Sequence, residues 1–213
     1  MSSEFGYIPE SPEQSFGNNK GILTPNDIYD LSIADKYTNY GQLELIETQT
    51  PSGVSSVSFT DLQIDKYDIF FLTYNFHTGS HDVGIFGRFG QGTTYRDSGN
   101  EYANQYGKSD GTFAQYTSTS MWAHQHGNLG TMATDEDGLG FTGYAYLYNM
   151  GNSNLYSAVT SHSSYSARTD NVYAFNYGNA TYPVREMNNS YTIFPNTGNF
   201  TGNTTMYGVR AYS

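Results

Sequence analysis

From Gly41 onward the chain is cut into short pieces by turn-forming clusters: Pro51-Ser-Gly, His77-Thr-Gly-Ser, Ser109-Asp-Gly, Asp137-Gly138 and Gly151-Asn-Ser. The intervening pieces are rich in Tyr, Phe, Thr, Val and Ile, the residues that suit a pleated, half-buried surface. Strands are expected over residues 42–48, 54–62, 67–76, 83–89, 101–105, 112–120, 141–150, 155–162, 172–177, 191–194 and 205–212. Many short strands at such spacing, without long helices, predict an all-β domain, a β-sandwich or jelly roll.

Two of these strands are unusual. Ile69-Phe-Phe-Leu72 and Tyr144-Ala-Tyr-Leu-Tyr148 are apolar or aromatic at every position. A sandwich strand with one wet face should alternate. Continuous apolar character therefore predicts that the second face is also covered, by a layer of aromatic side chains or by a neighbouring subunit.

Residues 1–41 read differently, so the expected division is a docking arm with one short helix over 1–41 and a sandwich over 42–213. The opening stretch holds two prolines, and its apolar residues Phe5, Tyr7, Ile8, Pro9 and Phe16 follow no period. It reads as an extended arm needing a surface to pack on. Thr24 is placed as an N-cap, Pro25 at the first helical position and Asp27 in the first turn. Ile28 and Leu31, with Ile33 or Ala34, give the helix one apolar face, and it should end before Tyr37. A helix this short is marginal in water by itself, so Ile28 and Leu31 join the arm residues as expected docking contacts.

Composition excludes several functions. The 213 residues contain 9 basic and 20 acidic side chains, a formal charge of −11, which argues against binding a phosphate backbone. Charged residues total 14%, well below the usual ~25%, so the surface is polar mainly through Ser, Thr, Asn, Gln and Gly. Sixteen per cent of residues are aromatic, opposite to the signature of disorder. No apolar run is long enough for a membrane-spanning helix, and no secretory signal is visible at the N-terminus. The absence of cysteine removes thiol catalysis, cysteine-ligated zinc and disulfides together.

Motifs for chemistry are sparse. There is no phosphate-binding Gly-rich loop and no Gly-x-Ser-x-Gly. Asp135-Glu-Asp137 reads as a solvated turn, with an oxygen-lined calcium site as the alternative, although the EF-hand spacing is not met. His124-x-His126 would set two imidazoles on one face of a strand, about 7 Å apart. A third ligand from His77 or His81 would complete a zinc or nickel site, but two residues alone are a common coincidence, and no metal or cofactor is expected. Trp122, the single tryptophan, reads as a core or interface anchor, or as a loop platform for a sugar ring. Trp122, His124 and His126 are thus the candidate ligand-binding residues. The Asn-x-Ser/Thr sequons at Asn179, Asn188, Asn199 and Asn203 are no more than this composition produces by chance.

The stretch Gly92-Thr-Thr-Tyr-Arg-Asp-Ser-Gly-Asn-Glu-Tyr-Ala-Asn104 is the most specific feature. With Tyr67-Asp-Ile-Phe-Phe71 and Thr204-Thr-Met-Tyr-Gly-Val-Arg210, it resembles a β-rich domain of tailed-bacteriophage virion proteins, found in tail fibres and surface-decoration proteins. The opening Gly6-Tyr-Ile-Pro-Glu-Ser-Pro-Glu-Gln-Ser-Phe16 resembles the leader of such proteins in marine phages, including those of cyanobacteria. The resemblance implies a non-enzymatic virion structural protein assembled in the host cytoplasm, either a tail fibre with a host-attachment role or a capsid decoration protein. It implies a homotrimer that joins other virion proteins through its arm and could meet a host glycan, with no nucleic-acid partner and no membrane insertion. A free lectin-like module is the alternative outside that class. No catalytic residue is carried over.

Overall fold

The computed structural model describes residues 14–15, 18–19, 24–33, 43–78, 83–118, 122–125, 140–167 and 172–209. The chain divides into two compact units, Met1–Tyr40 and Gly41–Ser213.

In the first unit, β1 (Gln14–Ser15) and β2 (Asn18–Asn19) form a two-residue antiparallel ladder, and α1 runs over Pro25–Ile33. The helix starts where its signals lie: the Ile28 amide donates to the Thr24 carbonyl at 3.0 Å, the first turn after the expected cap. Ile28 and Leu31 are half-buried, while Tyr29 and Ile33 are exposed. Phe5, Tyr7, Ile8, Pro9 and Phe16 lie outside the described residues.

The second unit is all β. In chain order its strands are β3 (Leu43–Gln49), β4 (Val57–Phe59), β5 (Ile69–Thr78), β6 (Ile85–Gln91), β7 (Thr94–Tyr95), β8 (Glu101–Lys108) and β9 (Phe113–Ser118). Then follow β10 (Trp122–Gln125), β11 (Phe141–Tyr148), β12 (Ser157–Ala167), β13 (Val172–Tyr182), β14 (Ser190–Pro195) and β15 (Phe200–Val209). Eight strands make one antiparallel sheet in the order β3-β15-β5-β11-β12-β13-β8-β9. A smaller sheet has the order β10-β6-β14-β4, with β7 also paired to β6. The two sheets pack face to face as an all-β sandwich.

The core follows from the period of two along each strand. Phe70, Leu72, Tyr74 and Phe76 of β5 point inward beside Phe141, Ala145 and Leu147 of β11 and Val159 of β12. The small sheet answers with Val57, Phe59, Ile85, Phe89, Tyr191 and Ile193. Rings meet ring to ring: Tyr74 stacks on Phe141 with centroids 5.0 Å apart, and Phe76 meets Phe200 edge-on at 4.5 Å. The Tyr74 phenol is buried, which pushes its titration well above the ordinary phenol range.

Local chemistry fixes the hairpins. Between β8 and β9 the Asp110 carboxylate accepts from the Thr112 amide at 2.8 Å, an Asx turn. Hydrogen bonding from Thr112 holds that carboxyl below the usual carboxylate range.

Several strands run further than the sequence patterns indicate. The expected strand at 172–177 extends to Tyr182, and the one expected from Thr205 begins at Phe200. Gly178-Asn179 and Gly202-Asn203, residue pairs common in turns, lie inside these strands. Gly202 instead sits inside β15 with φ of +149°, a backbone conformation L side chains rarely adopt, and its position leaves no space beside the Asn75 carbonyl of β5. Trp122, which the sequence leaves open between a core or interface anchor and a loop platform, stands in β10 opposite Gly87 of β6. The polar run around it contains a short strand, paired to β6 of the smaller sheet.

Candidate functional site

Trp122 and His124 fall on β10, and His126 lies outside the described residues, as does His81. The pairing of β10 with β6 shifts between Ala123 and Gln125. The irregularity falls at His124 itself. His77 lies near the end of β5 opposite Thr201, whereas His162 is on β12 opposite Tyr144. Two strands and four residues of ladder separate them, about 16 Å by strand geometry, too far for one metal ion. Among the described residues no group of three His, Asp or Glu converges. The Asp135–Asp137 run lies outside the described residues.

What the topology does assemble is the outer face of the large sheet. One row across seven strands reads Thr205, Thr73, Tyr144, His162, Tyr177, Gln105, Gln115. The row on one side reads Tyr207, Phe71, Tyr146, Thr160, Asn179, Ala103, Thr117. On the other side Thr142, Ser164, Phe175, Gly107 and Phe113 align. Residues that look unrelated in sequence thus become neighbours about 5 Å apart.

The rings on this face pack on one another. Phe71 lies 4.8 Å from Tyr146, 5.9 Å from Tyr144 and 6.1 Å from Tyr207, centroid to centroid. His162 sits between Tyr144, Phe175 and Tyr177, at 5.8, 6.5 and 6.3 Å. At the far side Phe113 and Phe175 lean over the backbone of Gly107, where a Cβ would come within 2.6 Å of both rings. Glycine is needed there so that the rings can lie flat on the strand. The doubly apolar pattern of Ile69–Leu72 and Tyr144–Tyr148 thus has its physical account: Phe70 and Leu72 fill the core, while Phe71, Tyr144 and Tyr146 build an outer aromatic layer.

That layer stays open to contact. Phe113, Tyr173 and Tyr177 are 73%, 62% and 58% exposed. The outward positions of β5, β11, β12, β13 and β15 that are described carry no Asp, Glu, Lys or Arg, in a chain whose net charge is −11. Hydroxyls, amides and two histidines supply all the polarity. Toward β3 the face turns aliphatic, with exposed Leu43 and Leu45 opposite Val209 and Tyr207. Toward β8 and β9 it turns polar. Such a surface offers aromatic stacking and neutral hydrogen bonds. Contiguous exposed aromatic surface of this kind marks contact sites more often than plain solvated surface.

No protein-family model and no curated protein matches this chain.

Proposed function

We propose that this protein is a non-enzymatic virion structural protein of a tailed bacteriophage. Residues 1–41 attach it to other virion proteins, and the sandwich is displayed on the particle as a tail fibre or receptor-recognition component. The observation that carries the reading is the uncharged aromatic face of the eight-stranded sheet, which suits recognition by contact. It is joined by the sequence resemblance through the 92–104 stretch and the opening leader. A homotrimer assembled in the host cytoplasm belongs to the same proposal.

A capsid decoration or cement role is the second reading. The aliphatic margin of the face, Leu43 and Leu45 beside Tyr207 and Phe71, favours it, because such a strip is suited to burial against a neighbouring subunit.

The test is to label the protein on purified particles and image where the label lies. Label at the tail tip supports the fibre role, and label over the head supports decoration. Particles without label overturn both. A variant lacking residues 1–20 should fold but fail to incorporate; normal incorporation would refute the attachment role of the arm.

A further inference from the structure

The polar side of the outer face contains a depression, and we infer that it is a binding site for one ring of a neutral glycan. The inference rests on the reading of the sandwich as a displayed recognition module and names the ligand class that module takes. The depression forms where the small side chain of Ala103 on β8 lies among larger neighbours. Tyr177 and Asn179 of β13 stand on one side, Gln115 and Thr117 of β9 on the other, with Gln105 further along β8. It encloses about 260 Å³, below the roughly 300–1,000 Å³ of pockets for drug-sized ligands and suited to a single ring.

Three features select the ligand. First, Tyr177 is 58% exposed, and its one ring neighbour among the described residues is His162, met edge-on. It therefore offers an apolar surface for the C–H face of a sugar. Second, the side chains of Gln105, Gln115, Asn179 and Thr117 are exposed and make no hydrogen bond to the described residues. Each amide presents a donor and an acceptor side by side. Neighbouring sugar hydroxyls, each both donor and acceptor, match that pairing. Third, no charged side chain among the described residues lines the depression. An acidic sugar would find no cation to pair with and would meet the field of a chain carrying −11. A hexose without carboxylate or sulfate is the ligand this chemistry fits.

The experiment titrates the full-length protein with maltohexaose, cellohexaose and mannohexaose, and with alginate hexamer as an acidic counterpart, following binding by calorimetry and ligand NMR. Saturable binding to at least one neutral oligosaccharide, and weaker binding to alginate, is expected. Tyr177→Ala should weaken binding about tenfold or more, whereas Tyr177→Phe, which keeps the stacking surface, should stay within about threefold of the parent. Ala103→Ile fills the depression without removing a hydrogen-bonding group and should abolish binding. Tyr173→Ala, on the same strand but outside the depression, should leave it unchanged. Circular dichroism of each variant verifies the fold. No binding to any neutral oligosaccharide at millimolar concentration would overturn the inference. So would preference for alginate, or indifference to both Tyr177→Ala and Ala103→Ile. The imaging of particles is independent: label on the particle with no sugar bound defeats this site alone, while sugar binding with no label on particles defeats the display role alone.

Discussion

Two glycines in the large sheet give a sharp test of how its strands are held. At both, a Cβ would come closer than real Cβ atoms approach their neighbours, but the obstacles differ. At Gly202 the obstacle is the carbonyl oxygen of Asn75, part of the β5 backbone, and φ is +149°. At Gly107 the obstacles are the ring edges of Phe113 and Phe175, 2.6 Å away, on side chains that are 73% and 42% exposed. For Gly202→Ala the dihedral alone costs about 1–3 kcal/mol. Backbone cannot move aside without spreading the β15–β5 ladder, so the total should be about 3 kcal/mol or more. At about 2–4 °C per kcal/mol for a domain of this size, Tm should fall by about 6–12 °C. For Gly107→Ala the rings can swing outward, and the lower entropy of the unfolded chain returns about 0.4–1 kcal/mol. Its net effect should stay within about 1 kcal/mol. Thermal and urea unfolding of both variants against the parent provides the measurement. Equal destabilisation, or a reversed order, would refute the assignment of the Gly202 contact to rigid backbone and of the Gly107 contact to movable rings.

Phe76→Ala, which empties a fully buried ring position in the core, should cost about 3–5 kcal/mol, while Phe113→Ala on the exposed face should stay within about 1 kcal/mol; urea midpoints compare them. Tyr74 keeps its proton in the folded state because burial raises its titration above that of an unfolded phenol at 10.0. Its contribution is therefore complete below pH 10 and is lost above it, by up to about 1.4 kcal/mol per pH unit. Unfolding midpoints between pH 8 and 11.5 should fall less steeply for Tyr74→Phe than for the parent. The Asn188 amide donates to the Ser157 hydroxyl at 3.0 Å with both residues fully buried. Removing Asn188 should cost about 1–3 kcal/mol, and adding Ser157→Ala should cost less than it does alone, as a double-mutant cycle would show.

The fold class was legible because strand and turn signals are local. Tyr, Phe and Thr runs between Gly-, Asp- and Asn-rich clusters mark most strands to within a few residues, and Thr24-Pro25 marks the helix start. The strand ends at Tyr182 and Phe200 were not, since Gly178 and Gly202 are used inside strands for close backbone approach, a tertiary cause with no local trace. The outer aromatic layer was half legible. Residues 69–72 and 144–148 show that a second face is apolar, but they do not show what lies next to it. Ala103, Thr117 and Asn179 come from three separate stretches, and only the order β13-β8-β9 and its register bring them to one depression.

One pairing has a mechanical consequence. The first strand of the second unit, β3, and its final strand, β15, are hydrogen-bonded neighbours, and Leu43 is opposite Val209. The entering and leaving chain therefore lie about 5 Å apart at one end of the sheet. A pull applied between those two points acts across the strands and loads the ladder one bond pair at a time, so the outermost strand would peel away at low force. A pull applied from Leu43 to Phe200, at the opposite end of β15, would instead run along the strands and load the bond pairs of that ladder together. The edge ladder is therefore weak when Leu43 and Val209 are drawn apart and resistant when the force follows the strands.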